Sequence, residues 1–141
     1  MADTFNAGKF GAVVGIPFLV ANATASQTNV DLTQGAGGSL ATMPAPGNIL
    51  GISVGASANV TAGSLTFSAH RASTELTETE APTVKLDATN SNANSATVRP
   101  GAIRFAKNAR IGVSYTSDAT LAPTNTDDFD AILWVQLDAN P

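Results

Sequence analysis

The sequence predicts an all-β chain, folded as an antiparallel β-sandwich or jelly roll of about eight strands. Three observations carry that expectation. Apolar residues recur at every second position along most of the chain, the period of a strand with one face buried. Clusters of Gly, Pro, Asn and Ser separate the alternating runs. No segment has convincing helical spacing; the best candidate, ASTELTETEAP at 72–82, is rich in Thr and sparse in apolar residues, and reads as a long acidic loop.

The runs follow in order. Val14, Ile16, Phe18 and Val20 share one face of the first, and Val13 and Leu19 add apolar residues to the other. Thr28, Val30 and Leu32 form the second. Leu50, Ile52, Val54 and Ala56 form the third, with Gly51, Ser53 and Gly55 opposite. Leu65, Phe67 and Ala69 alternate with Ser64, Thr66, Ser68 and His70; Val84, Leu86 and Ala88 alternate with Thr83, Lys85 and Asp87. Weaker runs lie at Ala96 to Val98 and Ile103 to Phe105. Ile111, Val113 and Tyr115 precede the final run of Leu133, Val135 and Leu137. Turns are expected at GAGG (35–38), PAPGN (44–48), TNSNANS (89–95) and RPG (99–101). The expected organisation is an extended N-terminal arm over 1–11 and one β-sandwich domain over 12–141, with no linker and no internal repeat.

Composition limits the function. The 141 residues are 43% hydrophobic and 13% charged, about half the usual charged share of ~25%. Ser, Thr, Asn and Gln must supply the polar surface, and scarce charge is compatible with wide coverage by partners. Net charge is −4 and the seven Lys and Arg are scattered, which argues against direct nucleic-acid binding and against a polybasic membrane helix. The absence of cysteine removes disulfides, thiol catalysis and thiolate metal sites. FGAVVGIPFLVANATA is not expected to be a signal peptide, because MADTFNAGK before it is not basic and Gly15 and Pro17 break the apolar run. The same run is too short for a transmembrane helix.

No residue is expected to be catalytic, cofactor-binding or metal-ligating, and the protein is expected not to be an enzyme. His70, the chain's one histidine, reads as an ordinary surface residue; a general base needs a nucleophile and an orienting partner. Asp127, Asp128 and Asp130 resemble a hard-cation cluster, but TNTDDFDAIL lacks the glycine of a calcium loop. The segment reads as a connection stiffened by Pro123. NAT at 22–24 and NVT at 59–61 match the glycosylation pattern, as chance allows in a chain rich in Asn and Thr.

The last strand is more informative. Ile132 and Trp134 stand opposite Leu133, Val135 and Leu137, so the strand is apolar on both faces. Either a loop folds over Trp134, or the face is a subunit interface anchored by tryptophan. Phe5 and Phe10 are the anchors available to the arm.

Two segments, GNILGISVGASANVTAGSLTFSAHR and RPGAIRFAKNARIGVSYTSDATLAPTNTDDFDAILWVQL, give the chain its resemblance to a known type. In their strand and turn phrasing they resemble the small β-sandwich or jelly-roll decoration (cement) proteins of tailed-bacteriophage capsids. The resemblance covers about two thirds of the chain and carries no catalytic signature. It implies a structural virion protein, made in the host cytoplasm, bound as a homotrimer to the major capsid protein on the capsid exterior, and clamping the shell against internal DNA pressure. It implies no cofactor, no direct contact with nucleic acid and no membrane. On that reading Ile132 and Trp134 belong to the trimer seam, and Phe5 and Phe10 to the capsid contact. A receptor- or glycan-binding fibre head and a bacterial adhesin module remain the alternatives, since fold alone does not choose among them.

Overall fold

The protein is described by a computed structural model over residues 11–34, 38–71, 74–75 and 82–138. No helix is present among the described residues. The strands are β1 (Val13–Val20), β2 (Val30–Asp31), β3 (Ala41–Thr42), β4 (Gly47–Ala56), β5 (Ser64–Arg71), β6 (Thr74–Glu75), β7 (Thr83–Asp87), β8 (Ala93–Thr97), β9 (Arg104–Phe105), β10 (Arg110–Ser117) and β11 (Phe129–Leu137).

The pairing makes these strands a rolled hairpin. β2 and β3 share one flank of β10, β6 and β7 one flank of β5, and β8 and β9 one flank of β4. Counting each such couple once leaves eight positions in chain order. The first pairs with the eighth (β1–β11), the second with the seventh (β2/β3–β10), the third with the sixth (β4–β8/β9) and the fourth with the fifth (β5–β7). The hairpin rolls up because β11 also pairs with β4, and β10 with β5. Two antiparallel sheets result, β1-β11-β4-β8 and β2-β10-β5-β7, with the connectivity of a jelly roll.

The inward residues of both sheets fill the space between them. Phe67 of β5 meets Phe129 of β11 across the gap, with ring centroids 5.9 Å apart and planes tilted by 49°. Around them Phe18, Ile52, Leu65, Leu86, Ile111 and Leu133 are essentially sealed from solvent. The apolar face read in β1, β5, β7, β10 and β11 is the face that turns inward, with these differences: Val14, at the start of edge strand β1, keeps 37% of its surface, Ala88 lies exposed past the end of β7, and Gly112 and Ser114 on the other face of β10 are buried as well.

Several boundaries differ from the sequence reading. PAPGN does not end in a turn: β4 already starts at Gly47. Trp134 faces Gly51 while Val135 faces Ile49, so Leu50 is the extra residue of a β-bulge, and Ile49 takes the inward place that alternation assigned to Leu50. TNSNANS is a turn only in its first half; β8 runs from Ala93 to Thr97, so the weaker run read at Ala96 to Val98 catches only its end, and the ladder to β4 holds the rest. In the run from Thr28 only Val30 and Asp31 join a ladder, because Asn29 has φ of +47°. Within the expected acidic loop, Thr74 and Glu75 pair with Arg71 and His70.

His70 is not a surface residue: it retains 2% of its surface. The chain at Ser39 crosses β10 at Gly112, and the His70 ring packs over the same glycine, where a Cβ would strike both. His70 Nε2 stands 3.3 Å from the Asp31 carboxylate. Ser68 and Ser114 Oγ, on the same face, are 3.4 Å apart.

β1, β4, β7 and β10 all run toward one end of the sandwich, which places the connections 21–29, 57–63, 88–92 and 118–128 together there. Asp127 ties them. Its carboxylate is fully buried, and Oδ1 accepts from Ser57 Oγ–H at 2.7 Å and from Ala58 N–H at 2.8 Å. Its own carbonyl accepts from Ala23 N–H, and Asp128 Oδ1 accepts from Asn22 N–H. Ala56 and Val60 N–H donate to the carbonyls of Asn92 and Ser91. The stretch expected to be a plain connection is therefore the clamp of this end. At the other end Arg104 donates to both carboxylate oxygens of Asp138, at 3.0 and 2.6 Å. Those bonds hold the Asp138 carboxyl below its ordinary 3.8.

Two outcomes follow. Asp127→Ala strands the Ser57 hydroxyl and the Ala58 amide, and should cost about 2–3 kcal/mol in urea unfolding, whereas Asp127→Asn, which keeps an acceptor, should cost less than half of that; equal losses would contradict the clamp. A carboxyl depressed in the folded state adds stability above its unfolded pKa and loses it as pH falls through the folded value. Asp138 should therefore titrate by NMR below the ordinary range and return to it in Arg104→Gln.

Candidate interface on the outer face of the first sheet

The outer face of the β1-β11-β4-β8 sheet is set by register. Leu19, Asp130, Gly55 and Ala93 form one row; Pro17, Ile132, Ser53 and Ser95 the next; Gly15, Trp134, Gly51 and Thr97 the third. Asp130 is the one charged residue in the four strands. The outer face of the second sheet differs: Thr66, Ser68, Ser114, Thr116 and Lys85 make it polar.

Trp134 is held rather than loose. A Cβ on Gly15 would come within 2.9 Å of the Trp134 ring and of Ile132 Cγ2, so the indole lies directly over the glycine backbone of β1. Its Nε1–H donates to Ser53 Oγ at 2.9 Å, which satisfies the polar end of the ring and leaves its apolar body at the surface. Trp134 is 37% exposed, Leu19 44% and Val13 56%. Ile132 is half-buried beside it. A shallow cleft runs from Trp134 and Val13 across Gly51 and Ser53 to Ser95 and Thr97. Of the two expectations for Trp134, no described loop covers it, and it stands on an open apolar face. Exposed apolar side chains in one contiguous patch mark interaction surfaces.

The remaining candidates separate. Asp127 turns inward to Ser57, Asp128 binds the Asn22 amide, and Asp130 lies over Gly55. Among the described residues no three His, Asp or Glu side chains stand together as a metal site. Asn22 and Asn59 are exposed on the connections at the clamped end. Phe5 and Phe10 lie outside the described residues. The role of Asp127 had no signal in the sequence, where three neighbouring aspartates look alike; only the pairing of Ser57 with the 118–128 connection distinguishes it.

No protein family matches the chain, and no curated protein does. Among solved structures, a chain from the full particle of Israeli acute paralysis virus heated to 63 degrees is similar over 96% of this chain and 76% of its own, at 16% identity and a TM-score of 0.46. At that identity and score the likeness says nothing about what this chain does.

Trp134 is the chain's one tryptophan, so its fluorescence reports this face alone. Acrylamide should quench it readily in dilute protein, and quenching should fall several-fold as protein concentration rises if the face is a self-interface. Quenching independent of concentration would remove that role.

Proposed function

We propose that this protein is a structural component of a virion: a decoration protein of the tailed-phage type, which trimerises through Ile132 and Trp134 and binds the outside of a capsid. The observation that carries the reading is the open apolar face around Trp134, built on strands with a single charge among them. The rolled hairpin supports it: the β4–β11 and β5–β10 ladders, one within each sheet, fold it into two sheets packed face to face over a shared apolar core.

The mechanism is mass action. A protein that binds only the assembled shell stabilises that state over the open one, and a trimer that touches several capsid subunits gains from multivalency. A standard specific interface buries roughly 1,600 Å² in total, so even small net gains repeated over a shell raise its barrier to opening. The test is to heat particles lacking and carrying the protein and to follow DNA release. Decorated particles should release DNA at higher temperature, and Trp134→Ala should remove most of the difference. Identical release curves would reject the reading.

A second reading, a glycan-binding fibre head, draws on one observation: the Ser53, Ser95 and Thr97 hydroxyls border the cleft beside the indole, a stacking platform with polar neighbours. Saccharide titration monitored by Trp134 fluorescence separates the two.

A further inference from the structure

We infer that this protein also associates with a second copy of itself end to end, the carboxylates at the clamped end of one copy meeting the cationic 99–110 connection of the next. This contact borders the outer sheet face at Leu19 and Asp130 but leaves Trp134 free, and it does not depend on the virion reading.

The charges are unevenly placed along the strand axis. Asp87, Asp118, Asp128 and Asp130 stand at the end where 57–63, 88–92 and 118–128 meet; the nearest cation along those strands is Lys85, two residues below Asp87. The 99–110 connection, RPGAIRFAKNAR, lies at the opposite end and carries Arg99, Arg104, Lys107 and Arg110 with no acid of its own; Asp138 and, on β6, Glu75 are the described acids at that end. Arg104 is engaged by Asp138. Arg99, Lys107 and Arg110 are exposed.

Both surfaces are held in shape before contact. Ile103 and Phe105 anchor the cationic connection in the core, and its backbone is tied by Ile49 N–H to the Ile103 carbonyl and by Met43 N–H to the Ala109 carbonyl. At the other end a hollow has Leu19, Ala21, Ala56 and Phe129 as its apolar lining, with Asp128 and Asp130 beside them. That combination suits a lysine or arginine side chain: an aliphatic stem on the apolar lining and a cationic head at the carboxylates. One copy offers the hollow and the next offers Lys107 or Arg99. The contact is heterologous, so it propagates or closes into a ring according to its rotation.

Sedimentation velocity at about 0.01 M and about 0.15 M salt tests it, since the screening length falls from about 30 Å to about 8 Å. The wild-type protein should gain at least about twofold in weight-average mass at the lower salt. Asp128→Lys/Asp130→Lys and Arg99→Glu/Lys107→Glu should each lose that gain alone and recover it when mixed, because each then supplies what the other lacks. Asp130→Lys alone, which spares the Asn22 bond to Asp128, should lose part of the gain with its fold intact by circular dichroism. Trp134→Ala should keep the gain. An unchanged wild-type mass, a mixture that does not recover, or loss in Trp134→Ala would each overturn the inference.

Discussion

The ladder between β4 and β11 is the contact on which the rest of this structure depends. It joins the third strand position to the last, and so converts a long hairpin into a roll. With it, β1 and β8 become the edges of one sheet and the halves of the hairpin face each other across a shared core. The ladder also decides what faces out. Its bulge at Leu50 turns Ile49 into the core and leaves Gly51 beside Trp134 on the outer face. Without the bulge, residues before Gly51 would change faces, because a one-residue slip inverts every side chain along a strand.

Glycine is what lets a tryptophan lie flat on this sheet. Gly15 and Gly51 flank Trp134 in its row. A Cβ at Gly15 would meet the ring itself, and one at Gly51 would meet the Ala96 carbonyl of β8, which cannot yield. The first glycine seats the indole and the second lets β8 approach β4 closely. A substitution at Gly15 disturbs the seat of the indole, whereas one at Gly51 forces β8 away from β4.

The alternating strands were legible because each buries one face, and apolar periodicity records that burial directly. Ile132 and Trp134 were legible as an excess on the wrong face, and the structure places them there, Trp134 exposed and Ile132 half-buried beside it. What stayed hidden depends on contacts distant in sequence. β8 starts three residues ahead of the weak run read at Ala96 to Val98, and that first part exists through its hydrogen bonds to β4. His70 fits a polar face until Ser39 crosses Gly112. Asp127 is indistinguishable from Asp128 until the 57–63 connection folds against it. The Leu50 bulge is invisible because an unbroken alternation from Leu50 to Ala56 also suits a regular strand.

The two outer faces show how one fold separates its tasks. The second sheet turns Ser and Thr outward, and the Ser68 and Ser114 hydroxyls stand 3.4 Å apart across it. The first sheet replaces that cladding with Pro17, Leu19, Ile132 and Trp134. Leaving such a surface in water forgoes about 25 cal/mol for each Å² that a partner would cover. A chain with so little charge has few means of keeping that face solvated, and the one charge it spends there, Asp130, sits in the row nearest the clamped end. The apolar side chains beyond it, Pro17, Ile132 and Trp134, lie side by side on β1 and β11, and β4 borders them with Ser53 and Gly51. Trp134, the largest side chain of this face, is already fixed by its bond to Ser53 and so loses little conformational entropy when covered, which makes association the cheapest way for this surface to leave water.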